Sequence, residues 1–272
     1  MSGNRDALKK LRIQFKGALT TEELGQTTRW LDRSPSTNTD ARAWADAGAP
    51  HGALVFADHQ TAGRGRHDRT WSTEPGLNLT VSVILRPEIR PAQYSLITLA
   101  ASLAVLDTIR SNCNPVSSQI KWPNDILVDG KKCCGMLLES VIGTDPAESF
   151  VILGIGLNVN QTDFPDTLQN TATSIMLACG RPVDRSQILA DLLGKLESIL
   201  ETLEKRPESI ATLYQKEMEG VGERMTLTDV HTDRLYEGIL RGVDEAGALQ
   251  MEIKSEIYSF HAGDVRLQTE KL

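Results

Sequence analysis

The first part of the sequence that could carry chemistry is a loop rich in glycine and arginine. Residues 59–71 read HQTAGRGRHDRTW, with two glycines and three arginines inside seven positions. Backbone N–H groups that glycine leaves accessible suit a polyphosphate or a carboxylate, and so do guanidinium groups. The alternative is a surface loop with scattered arginines. Because the whole chain carries a formal charge of −7, this local excess of positive charge favours an anion-binding site.

A second segment, KWPND at residues 121–125, precedes a predicted hairpin that contains Lys132 and Gly135. Its proline disfavours a helical conformation for the preceding tryptophan, so Asn124 and Asp125 are expected at the mouth of the hairpin. A carboxylate and an amide in that place could hold a metal or a ribose. On the residues alone the simpler interpretation is favoured, with ordinary turn residues and a solvated strand lysine.

A third segment, GIGLNVN at residues 154–160, resembles a dinucleotide fingerprint only superficially, because it lacks the third glycine and does not open a helix. The paired glycines are more typical of close backbone approach to a flat ligand. The sequence contains no GxxxxGK[ST] phosphate loop, no HExxH and no G-x-S-x-G motif, and its five histidines show no metal-ligand spacing.

The elements that must position these segments follow from hydrophobic periodicity and turn residues. Strands are predicted over residues 53–57, 77–85 and 150–159, with a hairpin over 126–140 on a type I′ Asp129-Gly130 turn. Helices are predicted over 40–47, 91–111 and 184–203, with a shorter one from Pro207 to about Met218. After residue 222 come short strands separated by Asp/Gly turns, which indicate a small barrel. We therefore expect one domain over 1–222 and a second over 223–272.

Composition limits the remaining classes of protein. The 272 residues are 40% hydrophobic and 24% charged, no apolar run approaches the ~18 residues of a membrane span, and the first residues are polar. The four cysteines lack CxxC spacing, so we expect buried thiols of a reducing cytoplasm and no disulfide or zinc site. An acidic chain also disfavours nucleic-acid binding. A cytoplasmic α/β or α+β protein is expected, without a membrane or nucleic-acid partner.

In this order along the chain, the segments resemble the biotin–protein ligase family. The matching residues are Ser36-Thr37-Asn38, the stretch from Gln60 to Arg66 with Arg69 and Trp71, Lys121–Asp125, Lys132 and Gly135 leading to Glu139, and Gly154, Gly156 and Asn158. With the expected barrel, the resemblance covers roughly residues 30–270. It implies an α+β fold, in which a mixed-sheet catalytic domain is joined to a small C-terminal SH3-like β-barrel.

The resemblance implies a two-step reaction. Biotin and MgATP give biotinyl-5′-AMP, and a lysine of a biotin carrier domain, from acetyl-CoA carboxylase or a related carboxylase, then displaces AMP. The implied biotin-binding residues are Ser36, Thr37, Asn38, Gln60, Gly63, Arg64, Trp71, Lys132, Gly135 and Gly156. The implied nucleotide-binding residues are Arg66, Arg69, Trp71, Asn124, Asp125, Lys132 and Asn158. Lys132 and Arg66 would be catalytic, and Asp125 would share Mg²⁺ with the ATP phosphates. The resemblance therefore replaces the interpretation of Lys132 as a solvated strand lysine with that of a catalytic residue.

One residue departs from the family pattern, and three other functions are alternatives. The family loop usually reads GRGRxGR, and Asp68 stands here in place of its last glycine. Lipoate attachment shares the fold, but the Ser-Thr-Asn and Gln set, the loop and the barrel favour biotin. A biotin-responsive repressor is disfavoured because about 30 residues without a helix-turn-helix pattern precede the first motif. A non-catalytic binding module is disfavoured because no core residue is missing. Relatives include monomers and dimers, so a homodimer is one of two expected states.

Overall fold

A computed structural model describes residues 2–67, 69–145, 148–262 and 265–268, and they form two β-sheets with helices packed against the larger one. The first sheet has seven strands: β1 (Thr28–Ser34), β2 (Leu54–Gln60), β3 (Leu79–Leu85), β4 (Ser118–Lys121), β5 (Asp125–Val128), β6 (Lys131–Val141) and β7 (Phe150–Leu157). Their spatial order is β1-β2-β3-β7-β6-β5-β4. Only the β1–β2 pair is parallel, so the sheet is mixed.

The described residues form six helices besides the sheets. They are α1 (Ser2–Ala18), α2 (Thr37–Asp46), α3 (Ser95–Asn112), α4 (Ile175–Cys179), α5 (Arg185–Lys205) and α6 (Pro207–Glu217), with a 3₁₀ turn at Pro91–Gln93 before α3. Segment 91–112 is the one stretch of the described chain long and apolar enough to cross a membrane by length and composition. Because 67% of that window is buried inside the fold, it has the pattern of a core helix.

The second sheet is antiparallel and follows α6. Its strands are β8 (Arg224–Asp229), β9 (Leu235–Val243), β10 (Leu249–Ile253), β11 (Glu256–Phe260) and β12 (Val265–Gln268), in the order β11-β10-β9-β8-β12. This sheet is compatible with an SH3-like barrel, and the predicted α+β class is confirmed. It contacts the first sheet through Trp122, whose indole N–H donates to the Gly247 carbonyl at 3.2 Å. The division of the chain at residue 222 stays a prediction.

Two predicted elements flank the cavity and are present: the helix expected over 40–47, which the structure extends back to Thr37, and the hairpin on the Asp129-Gly130 turn. A helix begins at Thr37, directly after Ser36 in an extended conformation, and the chain turns at Gly48 with φ +87°. The β5–β6 hairpin turns at Asp129 and Gly130 with φ of 49° and 74°, as a type I′ turn requires. Both signals act locally through backbone conformation, so sequence alone detects them.

The expectation of four free thiols is wrong for two of them. Cys113, at the end of α3, and Cys179, at the end of α4, form a disulfide with a Cα–Cα distance of 5.4 Å. Spacing rules compare sequence neighbours, and these residues are 66 positions apart. Cys133 and Cys134 are buried free thiols as expected, and burial raises the pKa of Cys133 to about 12.

The disulfide gives a prediction about stability. Cys179→Ser should lower the free energy of unfolding by about 4 kcal/mol, because the bond closes a 66-residue loop in the unfolded chain. Equilibrium urea unfolding with and without dithiothreitol measures this effect. The reductant should bring the wild type to the stability of the variant and leave the variant unchanged. Four titratable thiols in unreduced, unfolded protein would contradict the pairing.

Candidate functional site

A cavity of about 570 Å³ opens on the face of the first sheet that α2 covers. All the predicted site residues except Gly63 line it: Ser36, Thr37, Asn38, Gln60, Arg64, Arg66, Arg69, Trp71, Asn124, Asp125, Lys132, Gly135, Gly156 and Asn158. Gly63 lies in the wall behind them, where a Cβ would come within 2.9 Å of Gln60 Nε2 and 2.4 Å of the Trp71 carbonyl oxygen. The structure therefore brings the predicted set together.

The cavity exists because the α2-facing side of the central strands changes character along its length. Successive strand residues point to opposite faces. On β3 and β7 the α2-facing residues are Ile84 and Ile152 at one end, where both lie in the small core beneath α2. Towards the other end, β3 continues with Ser82, and β7 continues with Gly154 and then Gly156. Apolar bulk is thus replaced by small residues, which leaves room for a ligand.

Trp71 packs directly on a floor of glycine. Gly135 and Gly156 are paired neighbours on β6 and β7. A Cβ at Gly156 would lie 2.4 Å from Trp71 Cε2, and one at Gly135 would lie 3.2 Å from Trp71 Cζ3. The indole Nε1 is buried and has no hydrogen-bond partner among the described residues. An indole over bare backbone makes a slot suited to a flat or apolar ligand segment.

One end of the slot carries neutral hydrogen-bonding groups at the start of α2. The Thr37 backbone N–H donates to Gln60 Oε1 at 2.7 Å, and its hydroxyl donates to the same oxygen at 3.1 Å. Ser82 Oγ lies 2.8 Å from Thr37 Oγ1 and behind it. Ser36 occupies the N-cap position, but its side chain makes no capping hydrogen bond. The hydroxyls, the amide and the helix N-terminus together form a polar recognition end.

Asn38 links this polar end to a charged pair. Its Nδ2 donates to Glu139 Oε2 at 2.6 Å, and its Oδ1 accepts from Ser82 Oγ at 2.6 Å. Glu139 also pairs with Arg64, with 3.1 Å between Nη2 and Oε1. Both amide atoms of buried Asn38 are therefore used within the protein, and Arg64 is held towards the sheet.

The Gly-Arg segment folds back on itself as a small hairpin. The Gly65 N–H donates to the Arg69 carbonyl at 2.7 Å, and the Trp71 N–H donates to the Gly63 carbonyl at 2.9 Å. Arg66 is close to the tip, and its Nη1 donates to Asn124 Oδ1 at 3.3 Å. This bond joins the hairpin to the segment 121–125. Asp68 lies outside the described residues.

The opposite end of the cavity is charged. Lys132 Nζ lies 2.7 Å from Asp125 Oδ1, as an ion pair without the alignment of a hydrogen bond. The same ammonium is 5.6 Å from the centre of the Trp71 ring. Burial lowers the pKa of the Arg66 guanidinium, and the Asp125 carboxylate opposes this effect. Two cations and one carboxylate in a partly desolvated place can stabilise added negative charge.

Sequence reasoning missed two parts of the cavity wall. Lys121 belongs to the motif at residues 121–125, pairs with Asp125 across β4 and β5, and lines the cavity. Burial lowers the pKa of its ammonium, against the effect of Asp125 and Glu219. The two ends of the motif, Lys121 and Asp125, lie opposite each other on paired strands, and recognising that pairing would have identified Lys121. Glu219, which also lines the cavity, carries no local sequence signal.

The second missed part is a strap formed by residues 161–172, which lines one side of the cavity. The Lys132 N–H donates to the Thr171 carbonyl at 2.7 Å, and the Thr173 N–H donates to the Lys132 carbonyl at 2.9 Å. Asn158, expected to face a nucleotide, lines the cavity while its Nδ2 donates to the Thr173 carbonyl at 3.0 Å. The strap has no regular pattern in sequence, because its position comes from these long-range bonds.

Taken together, the cavity can bind an elongated molecule with a hydrogen-bonding head, an apolar middle and an anionic end. Within the described residues, no group of three or more histidine, cysteine, aspartate or glutamate side chains is placed to hold a metal ion. A metal at the charged end would therefore depend on ligands brought by the bound molecule as well as on Asp125.

Known proteins are similar to this chain in sequence and in fold. The biotin/lipoate A/B protein ligase family matches residues 30–158. The bifunctional ligase/repressor BirA of Bacillus subtilis is 37% identical over 270 residues, covering 96% of this chain and 79% of that protein. The biotin–[acetyl-CoA-carboxylase] ligase of Mycobacterium tuberculosis is 35% identical and covers 94% of both chains. The Aquifex aeolicus biotin protein ligase, solved in complex with biotin and ATP, is 26% identical with a TM-score of 0.77, covering 89% of this chain and 99% of that one.

The glycine floor gives a prediction about packing. Gly156→Ala should lower the free energy of unfolding by about 1–3 kcal/mol, because its Cβ would overlap the Trp71 indole. Gly194→Ala is the matched control, since its Cβ would meet only Thr20 Oγ1 at 3.7 Å within helix α5. That control should be neutral or stabilise by up to about 1 kcal/mol. Equal stability of the two variants in urea unfolding would show that the indole does not pack on Gly156.

Proposed function

The chain belongs to the biotin/lipoate A/B protein ligase family and is a ligase enzyme of the biotin protein ligase type. On this premise we propose that it converts biotin and ATP to biotinyl-5′-AMP and then transfers the biotinyl group to one lysine of a biotin carrier domain. The carrier would belong to acetyl-CoA carboxylase or a related carboxylase, as the name of the mycobacterial relative indicates. The observation that carries the proposal is the glycine-floored slot, which runs from a neutral hydrogen-bonding end to a cationic end in one cavity.

Biotin fits this slot by chemistry. Its ureido ring needs donors and acceptors without net charge, and Ser36, Thr37 and Gln60 present them, with the backbone at Gly63 and Arg64 beside them. Asn38 lines the same end and holds it in place through its bonds to Glu139 and Ser82. The apolar ring and chain would lie along Trp71, Gly135 and Gly156. The carboxylate would then reach Lys132. A buried polar set of this kind discriminates strongly against a molecule that leaves it unpaired, and this favours biotin over lipoate.

In the first step, a biotin carboxylate oxygen attacks the α-phosphorus of ATP. The new O–P bond forms as the bond from the α-phosphorus to the bridging oxygen breaks, and pyrophosphate leaves. Because two anions must approach each other, cationic donors supply most of the stabilisation. Lys132 would contact the carboxylate and the bridging oxygen, with Arg66 and Arg69 facing the phosphates. Asn124, Asp125 and Asn158 would contact the remainder of the nucleotide.

In the second step, the neutral amine of the carrier lysine attacks the acyl carbon of the adenylate. The C–N bond forms, the C–O bond breaks with AMP as the leaving group, and the proton of the amine passes to solvent. No side chain of the enzyme becomes acylated, which agrees with the absence of a nucleophile motif from the sequence. The Gly-Arg hairpin would order over the adenylate and exclude water from the reactive anhydride.

Mg²⁺ would accompany ATP, and Asp125 is the candidate ligand from the protein. Its Oδ1 is buried and lacks an aligned hydrogen bond, so a carboxylate is available at the phosphate end. Proteins commonly hold Mg²⁺ through one or two carboxylates together with substrate phosphates. The bound ion would neutralise part of the phosphate charge.

DNA binding is not part of the proposal, although the Bacillus subtilis relative is named a ligase/repressor. Support comes from α1, whose apolar side chains Leu8, Leu11 and Phe15 are buried in the main core. This helix therefore belongs to the same core as the seven-stranded sheet. The cytoplasmic location, and the choice between a monomer and a homodimer, stay predictions.

Lys132→Ala should reduce adenylate formation by several orders of magnitude while the protein stays folded. The wild type, incubated with biotin, labelled ATP and a carrier domain, should release pyrophosphate and biotinylate the carrier; failure of both reactions would overturn the proposed function. Lys131→Ala is the matched control on the same hairpin and should retain near-normal rates. Normal pyrophosphate release by Lys132→Ala would remove Lys132 from the first step.

Arg66→Gly should release biotinyl-5′-AMP into solution and label lysines promiscuously. The substitution removes the bond from Arg66 to Asn124 that joins the hairpin to segment 121–125. Mass spectrometry of a bystander protein in the reaction measures the labelling, and Arg90→Gly, on an exposed turn, is the control. If labelling stays confined to the carrier, the hairpin does not retain the adenylate.

A further inference from the structure

Helix α1 carries an exposed basic stripe with an apolar centre. Lys9, Arg12 and Lys16 are exposed and follow the spacing i, i+3, i+7, which places them on one side of the helix. Ile13 lies beside them and is 62% exposed. The opposite side of α1 is buried in the main core. Because the chain as a whole is acidic, this basic stripe indicates a surface for an anionic partner.

A depression of the opposite character lies beside the second half of α5. It has a volume of about 110 Å³, with buried leucines on its floor and glutamates on its rim. The floor is formed by Leu24, Leu85, Leu200 and Leu203, and the rim by Glu22, Glu23, Glu201 and Glu204. His51 Nε2 lies 3.6 Å from Glu23, and Lys205 Nζ lies 3.1 Å from Glu201. Both glutamates of these pairs are solvent-exposed, so the rim stays acidic.

The basic stripe and the acidic depression are complementary. An exposed isoleucine flanked by cations matches an apolar hollow surrounded by carboxylates, since apolar surface meets apolar surface and unlike charges meet at the edge. The depression has room for one aliphatic side chain of the size of Ile13.

The two surfaces lie along the same helix. Thr20, after α1, is next to Gly194, whose Cβ would lie 3.7 Å from its Oγ1. Further along, the Glu197 carboxylate accepts the backbone N–H groups of residues 22–24 at 2.8–2.9 Å. The chain thus runs in the direction of α5, and α1, which packs on α5, lies along its first half. The depression lies along Glu197–Glu204, in the second half.

This placement keeps the two surfaces of one molecule apart and suits a two-fold axis. Along α5 they are separated by roughly 20 Å, for about 14 residues at 1.5 Å each. A two-fold axis midway between them, near Gly194, would bring each stripe onto the depression of the other copy at the same time. Such a self-complementary contact is what closes a symmetric dimer.

The cavity lies on the other side of the molecule. Helices α1 and α5 pack into the main core, whereas α2 covers the opposite face of the seven-stranded sheet, where the cavity opens. A contact through α1 and α5 therefore leaves both cavities of a dimer open.

We propose that the chain forms a two-fold dimer in which the α1 stripe of each copy sits in the acidic depression of the other. Charges hold the edge of this interface and Ile13 occupies its centre. The inference is independent of the proposed reaction, because neither surface contributes to the cavity.

Sedimentation velocity of the wild type at several concentrations tests the dimer and its charge dependence. Its dissociation constant should rise about tenfold or more between about 0.1 M and about 1 M NaCl, as the screening length falls from about 10 Å to about 3 Å. A protein that is monomeric at every concentration, or a dimer that salt does not weaken, would overturn the inference.

Reversing charges identifies the two surfaces. One variant reverses the stripe, with Lys9→Glu and Lys16→Glu, and the other reverses the rim, with Glu201→Lys and Glu204→Lys. Each alone should be monomeric, because like charges then face each other. An equimolar mixture should dimerise again, since the acidic stripe of one meets the basic rim of the other and the two native surfaces also meet. A mixture that stays monomeric would contradict the pairing of these surfaces.

The apolar centre has a matched control. Ile13→Asp should weaken the dimer about tenfold or more, as loss of a central apolar anchor does. Ile142→Asp changes an equally exposed isoleucine, 63% against 62%, that lies in neither surface, and should leave the dissociation constant within about twofold. A larger loss for Ile142→Asp than for Ile13→Asp would place the interface elsewhere. Biotinylation rates should be the same for both variants and the wild type, so a failure of the proposed function would not be mistaken for a failure of the dimer.

Discussion

The structure depends on the close approach that three glycines allow across two neighbouring strands. A Cβ at Gly154 would lie 2.2 Å from Asn38 Oδ1, so this glycine lets the start of α2 settle on the sheet. Gly135 and Gly156 do the same for the Trp71 indole. The polar end, the slot and the charged end are therefore held at one distance from the same backbone surface. A side chain at any of these positions would push Asn38 or Trp71 away from the strands.

The sequence supports a large part of this fold, because many of its signals are local. The type I′ turn, the amphipathic helix α5 and the short C-terminal strands follow from turn residues and periodicity. Strands β1 and β4 were not predicted: both lie at edges of the sheet, and β4 has only four residues. Helix α4, with five residues, was also missed, as was the disulfide that joins it to α3. These features are set by contacts distant in sequence, and a single chain carries no periodic trace of them.

The candidate site was predicted from the order of several motifs and not from any single one. Each motif alone was weak, and their order along the chain supplied the interpretation. Lys121, Glu219 and the strap escaped it, since they enter the cavity from segments whose own residues look ordinary. Trp122 shows why this matters: it belongs to the motif at 121–125, yet its indole N–H donates to the second sheet at Gly247. A segment that supplies cavity residues is thus also the joint between the two sheets, and pattern reading assigns it only one of these tasks.

The hydrogen bonds that hold the strap have a consequence for how ligands reach the cavity. The end of the strap is fastened to both backbone groups of Lys132, through Thr171 and through Thr173, which directly follows the strap. Lifting it would unpair the main chain of the residue that carries the central ammonium. The strap therefore has to stay closed while Lys132 takes part in the reaction. Opening the cavity on the strap side therefore costs both backbone hydrogen bonds of Lys132, whereas a movement of the Gly-Arg hairpin leaves them intact.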